Sequence, residues 1–172
     1  MNKWQKLGLA VGMGTAVVTT SHIINKFIFE SATINNYTGK TVKHTYSWKF
    51  GNIAYSTYGN YDNPPLLLIH DLKSYSSGYE WDNTVHYLSK KHHLYVVDLL
   101  GCGLSDRPDM ICTSFMYTQL VSDFVRDVIK KKTNIVVTGK SAAFVLEACS
   151  NEPDLYEDLI LINPDSIRNF RK

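Results

Sequence analysis

The apolar and polar positions of this chain follow two different grammars. From His44 to Phe50 they alternate, with His44, Tyr46, Trp48 and Phe50 on one side and Thr45, Ser47 and Lys49 on the other. That period predicts a half-buried strand. Gly51-Asn52 predicts a turn, and Ile53, Tyr55 and Thr57 continue as the second arm of a hairpin. Tyr58 to Pro65, with its glycine, asparagines and two prolines, predicts a loop. After it the apolar runs become continuous. Leu66 to Ile69, Leu94 to Leu100, Ile135 to Val137 and Leu159 to Ile162 predict strands covered on both faces. Between them the spacing turns helical. Trp81, Val85 and Leu88 predict a helix reaching Lys91. Leu120, Val121, Phe124, Val125 and Val128 predict a second over Phe115 to Lys132, and an alanine-bearing helix follows Ser141. Strands alternating with helices predict an α/β fold, with a mostly parallel sheet, helices on both faces and an N-terminal antiparallel hairpin.

The first residues obey neither pattern. Lys3 and Lys6 precede the run LGLAVGMGTAVVTTSHIINKFIF, long enough for the span of about 20 residues that a bilayer requires, so residues 4–29 are the candidate membrane contact. The cluster Thr19-Thr20-Ser21-His22 is costly near the centre of such a span. Three states stay open: an uncleaved anchor, an interfacial helix, or an apolar arm packed on the domain. The expected organisation is therefore an apolar segment over 1–30, a polar linker over 31–43 and one domain over 44–172. The location is membrane-associated through the N-terminus, or cytoplasmic if that segment packs on the domain. Asn36-Tyr37-Thr38 fits a glycosylation sequon, a short pattern with little weight by itself.

Composition narrows the class further. The net charge is +2, from 18 basic and 16 acidic residues, and gives no case for a nucleic-acid partner. Lys130-Lys131-Lys132 sits where a helix should end and reads as cations facing its C-terminus. Three cysteines, Cys102, Cys112 and Cys149, match no metal spacing and predict free thiols. No cofactor is expected.

In an open parallel sheet, ligands bind at the carboxyl ends of the strands. The residues there are His70-Asp71-Leu72, then Asp98 to Pro108, then Gly139-Lys140-Ser141. A serine between a strand and a helix, with Gly139 two residues before it and Ala143 two after, has the form of a nucleophile elbow. The other readings of this stretch are an ordinary helix-capping serine and the tail of a phosphate-binding loop. The latter needs a glycine at Asn134 and a loop where a strand is expected.

In this order the three motifs resemble the α/β-hydrolase fold family, in its epoxide hydrolase, haloalkane dehalogenase and esterase-like branch. The middle motif, Asp-x-x-Gly-x-Gly-x-Ser, is matched by Asp98, Gly101, Gly103 and Ser105 and continued by Asp106-Arg107-Pro108. The resemblance covers Tyr46 to Asp165. It implies Ser141 as the nucleophile for an ester, thioester or related acyl bond in a small molecule, with backbone N–H groups of Leu72 and Ala142 as the oxyanion hole. It implies structural roles for His70, Asp98, Gly101, Gly103, Ser105 and Gly139, and Asp165 as a possible triad acid. Two departures stand out. Asp71 replaces the family's glycine, and a carboxylate there opposes an oxyanion unless it points away. No histidine follows Ser141, the last being His93. A serine without its base keeps little of its catalysis. The expectation is a truncated serine hydrolase, inactive as this chain alone. The alternative is a non-catalytic, membrane-tethered binding domain. An apolar sixth strand at a sheet edge also predicts self-association.

Overall fold

The structure is a computed structural model and describes residues 42–165. The apolar segment at 1–30, nearly all of the expected linker and the last seven residues lie outside the described residues. Six strands form one sheet in the order β1-β2-β4-β3-β5-β6. They are β1 (Val42–Trp48), β2 (Gly51–Tyr58), β3 (Pro65–Ile69), β4 (His93–Val97), β5 (Thr133–Thr138) and β6 (Tyr156–Ile162). The helices are α1 (Asp82–Leu88), α2 (Ser114–Phe124) and α3 (Ser141–Asn151). β1 and β2 pair antiparallel and β2 joins β4 antiparallel, while β4, β3, β5 and β6 run parallel. The expected α/β sheet with an antiparallel hairpin at one end is the fold observed.

β3 shows why the continuous apolar runs form central strands. Leu67 and Ile69 face a large core with Val97, Ile135, Val137, Leu120, Phe124 and Val145. Leu66 and Leu68 face a smaller one with Trp81, Val85, Val96 and Val136. Each large side chain buried in this way contributes about 1.5–3 kcal/mol. The hairpin shows the other grammar. Trp48 is buried and Tyr46 half-buried, while Thr45, Ser47 and Lys49 are exposed.

Several boundaries differ from the sequence pattern. The hairpin turns at Lys49-Phe50, and Gly51 and Asn52 already pair with Trp48 and Ser47. β4 ends at Val97. Leu99 and Leu100 are buried beneath the following loop, so the apolar run outlasts the ladder. The helix expected to reach Lys91 is one 3-10 turn, Gly78–Trp81, followed by α1. The helix expected to reach Lys132 continues α2 as a widened π turn, Val125–Ile129. It ends where Lys130, at φ 59°, donates its N–H to Val125.

α3 packs against α2 through the stacked rings of Tyr117 and Phe144, 5.1 Å apart. The Thr118 hydroxyl donates to the Phe144 carbonyl. The two helices carry the large core up to the carboxyl ends of β3, β4 and β5. Cys102, Cys112 and Cys149 are free thiols. Burial pushes Cys102 and Cys149 up to about 11, so both stay protonated at neutral pH. No helix among the described residues is long and apolar enough to cross a membrane.

Candidate active site

The three strand ends predicted to carry the chemistry do converge. His70 follows β3 and is fully buried. Its Nε2 accepts the Leu99 N–H at 3.0 Å, which puts the ring proton on Nδ1. Nδ1 then donates to the Asp71 carbonyl at 2.7 Å. Both ring nitrogens are committed to backbone, so His70 is a brace between the β3 and β4 loops.

The β4 loop is held together by its own polar side chains. Asp98 Oδ1 accepts the Gly78 N–H at 2.6 Å and Oδ2 accepts the Leu104 N–H at 2.8 Å. Ser105 Oγ donates to the Asp98 carbonyl at 2.6 Å and accepts the Ala54 N–H at 2.8 Å. Gly101 donates its N–H to the Asp106 carbonyl, and Asp106 Oδ2 accepts from Asn52 at 2.7 Å. Gly103 lies at φ 50°, and a Cβ there would collide with the Asp98 carboxylate.

The β5 turn departs from expectation. A nucleophile elbow sets its nucleophile at the strained apex, where the side chain projects into the site. Here the left-handed backbone falls on Gly139, at φ 58°, two residues before Ser141. Lys140 is already helical, at φ −66° and ψ −26°, and Ser141 opens α3. Ser141 is 0% exposed, and its hydroxyl donates to the His70 carbonyl at 2.7 Å. A turn lifting that hydroxyl clear of the sheet is therefore not what forms. The one-residue step from strand into helix draws Ser141 inward against the end of β3.

The expected oxyanion donors change as well. The Ala142 N–H is directed to the Gly139 carbonyl at 3.3 Å and closes the turn. The amide aimed at the strand-end site is that of Lys140, and it already has an anion. Asp71 Oδ1 accepts it at 2.8 Å, while Asp71 Oδ2 lies 2.5 Å from Lys73 Nζ. The Leu72 N–H, expected as an oxyanion donor, stabilises the Asp71 carboxylate. Burial works to raise the Asp71 pKa. The Lys73 ammonium and the two amides outweigh it and hold the carboxyl below its ordinary range. The shift of Lys73 agrees in sign, raised first by its hydrogen bond to Asp71. A Cβ on Gly139 would meet the Asp71 carboxylate far inside any tolerated contact.

Glu80 is a residue the sequence pattern did not single out. Its Oε2 accepts the Asp71 N–H and the Thr138 hydroxyl, each at 3.0 Å, and so ties β3 to β5. Nothing in its spacing marks it, because its partners lie 9 and 58 residues away. Asp165, considered for the acid, has an exposed side chain. Only its N–H reaches the turn, donating to the Gly139 carbonyl at 3.1 Å. Among the described residues no group of His, Cys, Asp and Glu side chains is placed to hold a metal ion.

No protein-family model matches the sequence. No curated protein matches it either. Solved structures do match. An alpha/beta hydrolase fold protein from Burkholderia ambifaria is 26% identical with a TM-score of 0.66, over 76% of this chain and 47% of that one. The naproxen esterase (carboxylesterase NP) of Bacillus subtilis is 18% identical, with a TM-score of 0.70 over 79% and 47%. A membrane phospholipase A, a bacterial virulence factor, is 20% identical, with a TM-score of 0.73 over 99% and 55%. The chain thus spans about half the length of these proteins. With the sheet order, the hairpin and the convergent strand ends, these likenesses show that the chain has the α/β-hydrolase fold.

Proposed function

We propose that this domain keeps the hydrolase fold as a binding module and that the covalent step of a serine hydrolase is closed at its elbow. The observation that carries this reading is the Asp71 carboxylate lying against Gly139 on the Lys140 amide, while the Ala142 amide is turned to the Gly139 carbonyl. A fixed negative charge there opposes the charge of a tetrahedral intermediate. Ser141 adds to the argument, since its hydroxyl is buried and already bonded to a carbonyl. A fluorophosphonate probe tests the reading. The chain is expected to stay unlabelled, with Ser141→Ala indistinguishable from it. Labelling that disappears in Ser141→Ala sinks the proposal.

The second reading is acyl hydrolysis through Ser141. It is favoured by the order of the three strand-end motifs and by the likeness of the fold to carboxylesterases and a thioesterase domain. It requires Ser141 to leave the His70 carbonyl and Asp71 to leave the Lys140 amide.

The proposed site takes a small molecule at the strand ends, with residues 4–29 as a membrane tether. Loss of membrane sedimentation when 1–30 is deleted checks the tether. β6 ends the sheet, and Ile160 and Ile162 are 53% and 40% exposed. Pairing of two chains along this edge is proposed on that ground. An unchanged sedimentation coefficient in Ile160→Lys would exclude it.

A further inference from the structure

The contacts around Asp71 describe a receptor for one carboxylate group. On one side stands the amide of Lys140, at the start of α3 and 69 residues along the chain from Asp71. On the other stands the Lys73 ammonium, whose side chain is 45% exposed and reaches the second carboxylate oxygen from solvent. The floor is Gly139, whose missing side chain leaves the volume that the carboxylate fills. Asp71 itself is only 7% exposed. Glu80, bonded to the Asp71 N–H and the Thr138 hydroxyl, sets a second negative charge beside this receptor. That charge disfavours dianions such as phosphate and suits a planar monoanion.

We propose that this cradle is a monocarboxylate-binding site occupied in cis by Asp71, and that a small external carboxylate takes the same place when the Asp71 side chain is absent. The inference rests on the reading of the elbow as closed by Asp71. Its readout is anion binding, so it can fail while Ser141 remains unreactive, and it can hold even if Ser141 proves reactive. Exchange is geometrically simple, because the Lys140 amide and the Lys73 ammonium both reach the carboxylate oxygens of Asp71.

The experiment compares the full chain with Asp71→Gly by thermal unfolding in sodium acetate, sodium formate and sodium chloride at matched ionic strength and neutral pH. Asp71→Gly should melt below the parent. Acetate or formate should then raise its Tm by several degrees in a saturable manner, with chloride inert and the parent unresponsive. If Asp71→Gly folds only when acetate or formate is present, that result also supports the site. A folded variant with no carboxylate-specific response overturns the proposal, as does a parent that responds equally. A variant left unfolded by both carboxylates counts against it as well. Gly139→Ala gives an independent reading. Its loss of Tm should be markedly smaller in the Asp71→Gly background than in the parent, because the colliding carboxylate is gone. Equal losses in the two backgrounds overturn the shared-volume argument.

Discussion

The loop after β4 and the turn after β5 use the same device, but they draw it from different distances. Each sets an aspartate carboxylate against a glycine in the left-handed region, Asp98 against Gly103 and Asp71 against Gly139. Each carboxylate accepts backbone amides that the turn would otherwise leave unpaired. In the β4 loop the pair is five residues apart and forms within one motif. In the β5 turn it is 68 residues apart and forms only when β3 and β5 come together. The local pair stabilises a loop without touching the candidate chemistry. The distant pair occupies the candidate site.

The largest effect should come from the glycines. Valine at Gly103 or Gly139 adds left-handed strain to a collision with an aspartate carboxylate, and should cost about 4 kcal/mol or more. Equilibrium denaturation would measure this. If only Gly103→Val is severe, the two turns are not built alike. Next comes Asp98→Ala, which strands the Gly78 and Leu104 amides and should cost about 3 kcal/mol. Ser105→Ala removes one donor and one acceptor at the foot of the same loop, and should cost about 1–2 kcal/mol in the same denaturation series.

Acid should act on the distant pair. The Asp71 carboxyl titrates below its ordinary range when folded. Its stabilisation is therefore present above the unfolded carboxyl value of about 4, and is lost as pH falls through the lower folded value. The stability difference between the parent and Asp71→Asn should be constant near neutrality and shrink below about pH 4. A difference that widens there would reverse the assigned sign. The smallest change is expected from Lys73→Met. The lysine is solvent-exposed, and water screens its ion pair with Asp71. The effect should fade in high salt, which denaturation at two ionic strengths would read.

The comparison also explains what could be read ahead of the structure. The motif from Asp98 to Pro108 announced its own loop, because glycines, aspartates and serine bond to one another within eleven residues. The motif at Gly139 to Ser141 announced a strand-to-helix turn, and that turn exists. What local pattern could not supply was the backbone angle at each position or the source of the nearest carboxylate. Asp71 stood out as a departure from the family's glycine, but its direction did not. Glu80 left no signal, since a lone glutamate in a polar loop is ordinary until β3 and β5 are adjacent.

The sequence by itself determined the alternation of strands and helices, the hairpin, the two-sided burial of the central strands and the three strand-end motifs. These follow from periodicity and from short-range chemistry, which neighbouring residues settle between themselves. Tertiary structure alone decided that Ser141 points inward to the His70 carbonyl, and that Asp71 crosses to the Lys140 amide. Both outcomes depend on how closely β3 approaches β5. Burial there makes an unpaired amide or hydroxyl costly, so each polar group takes the partner that packing brings within reach.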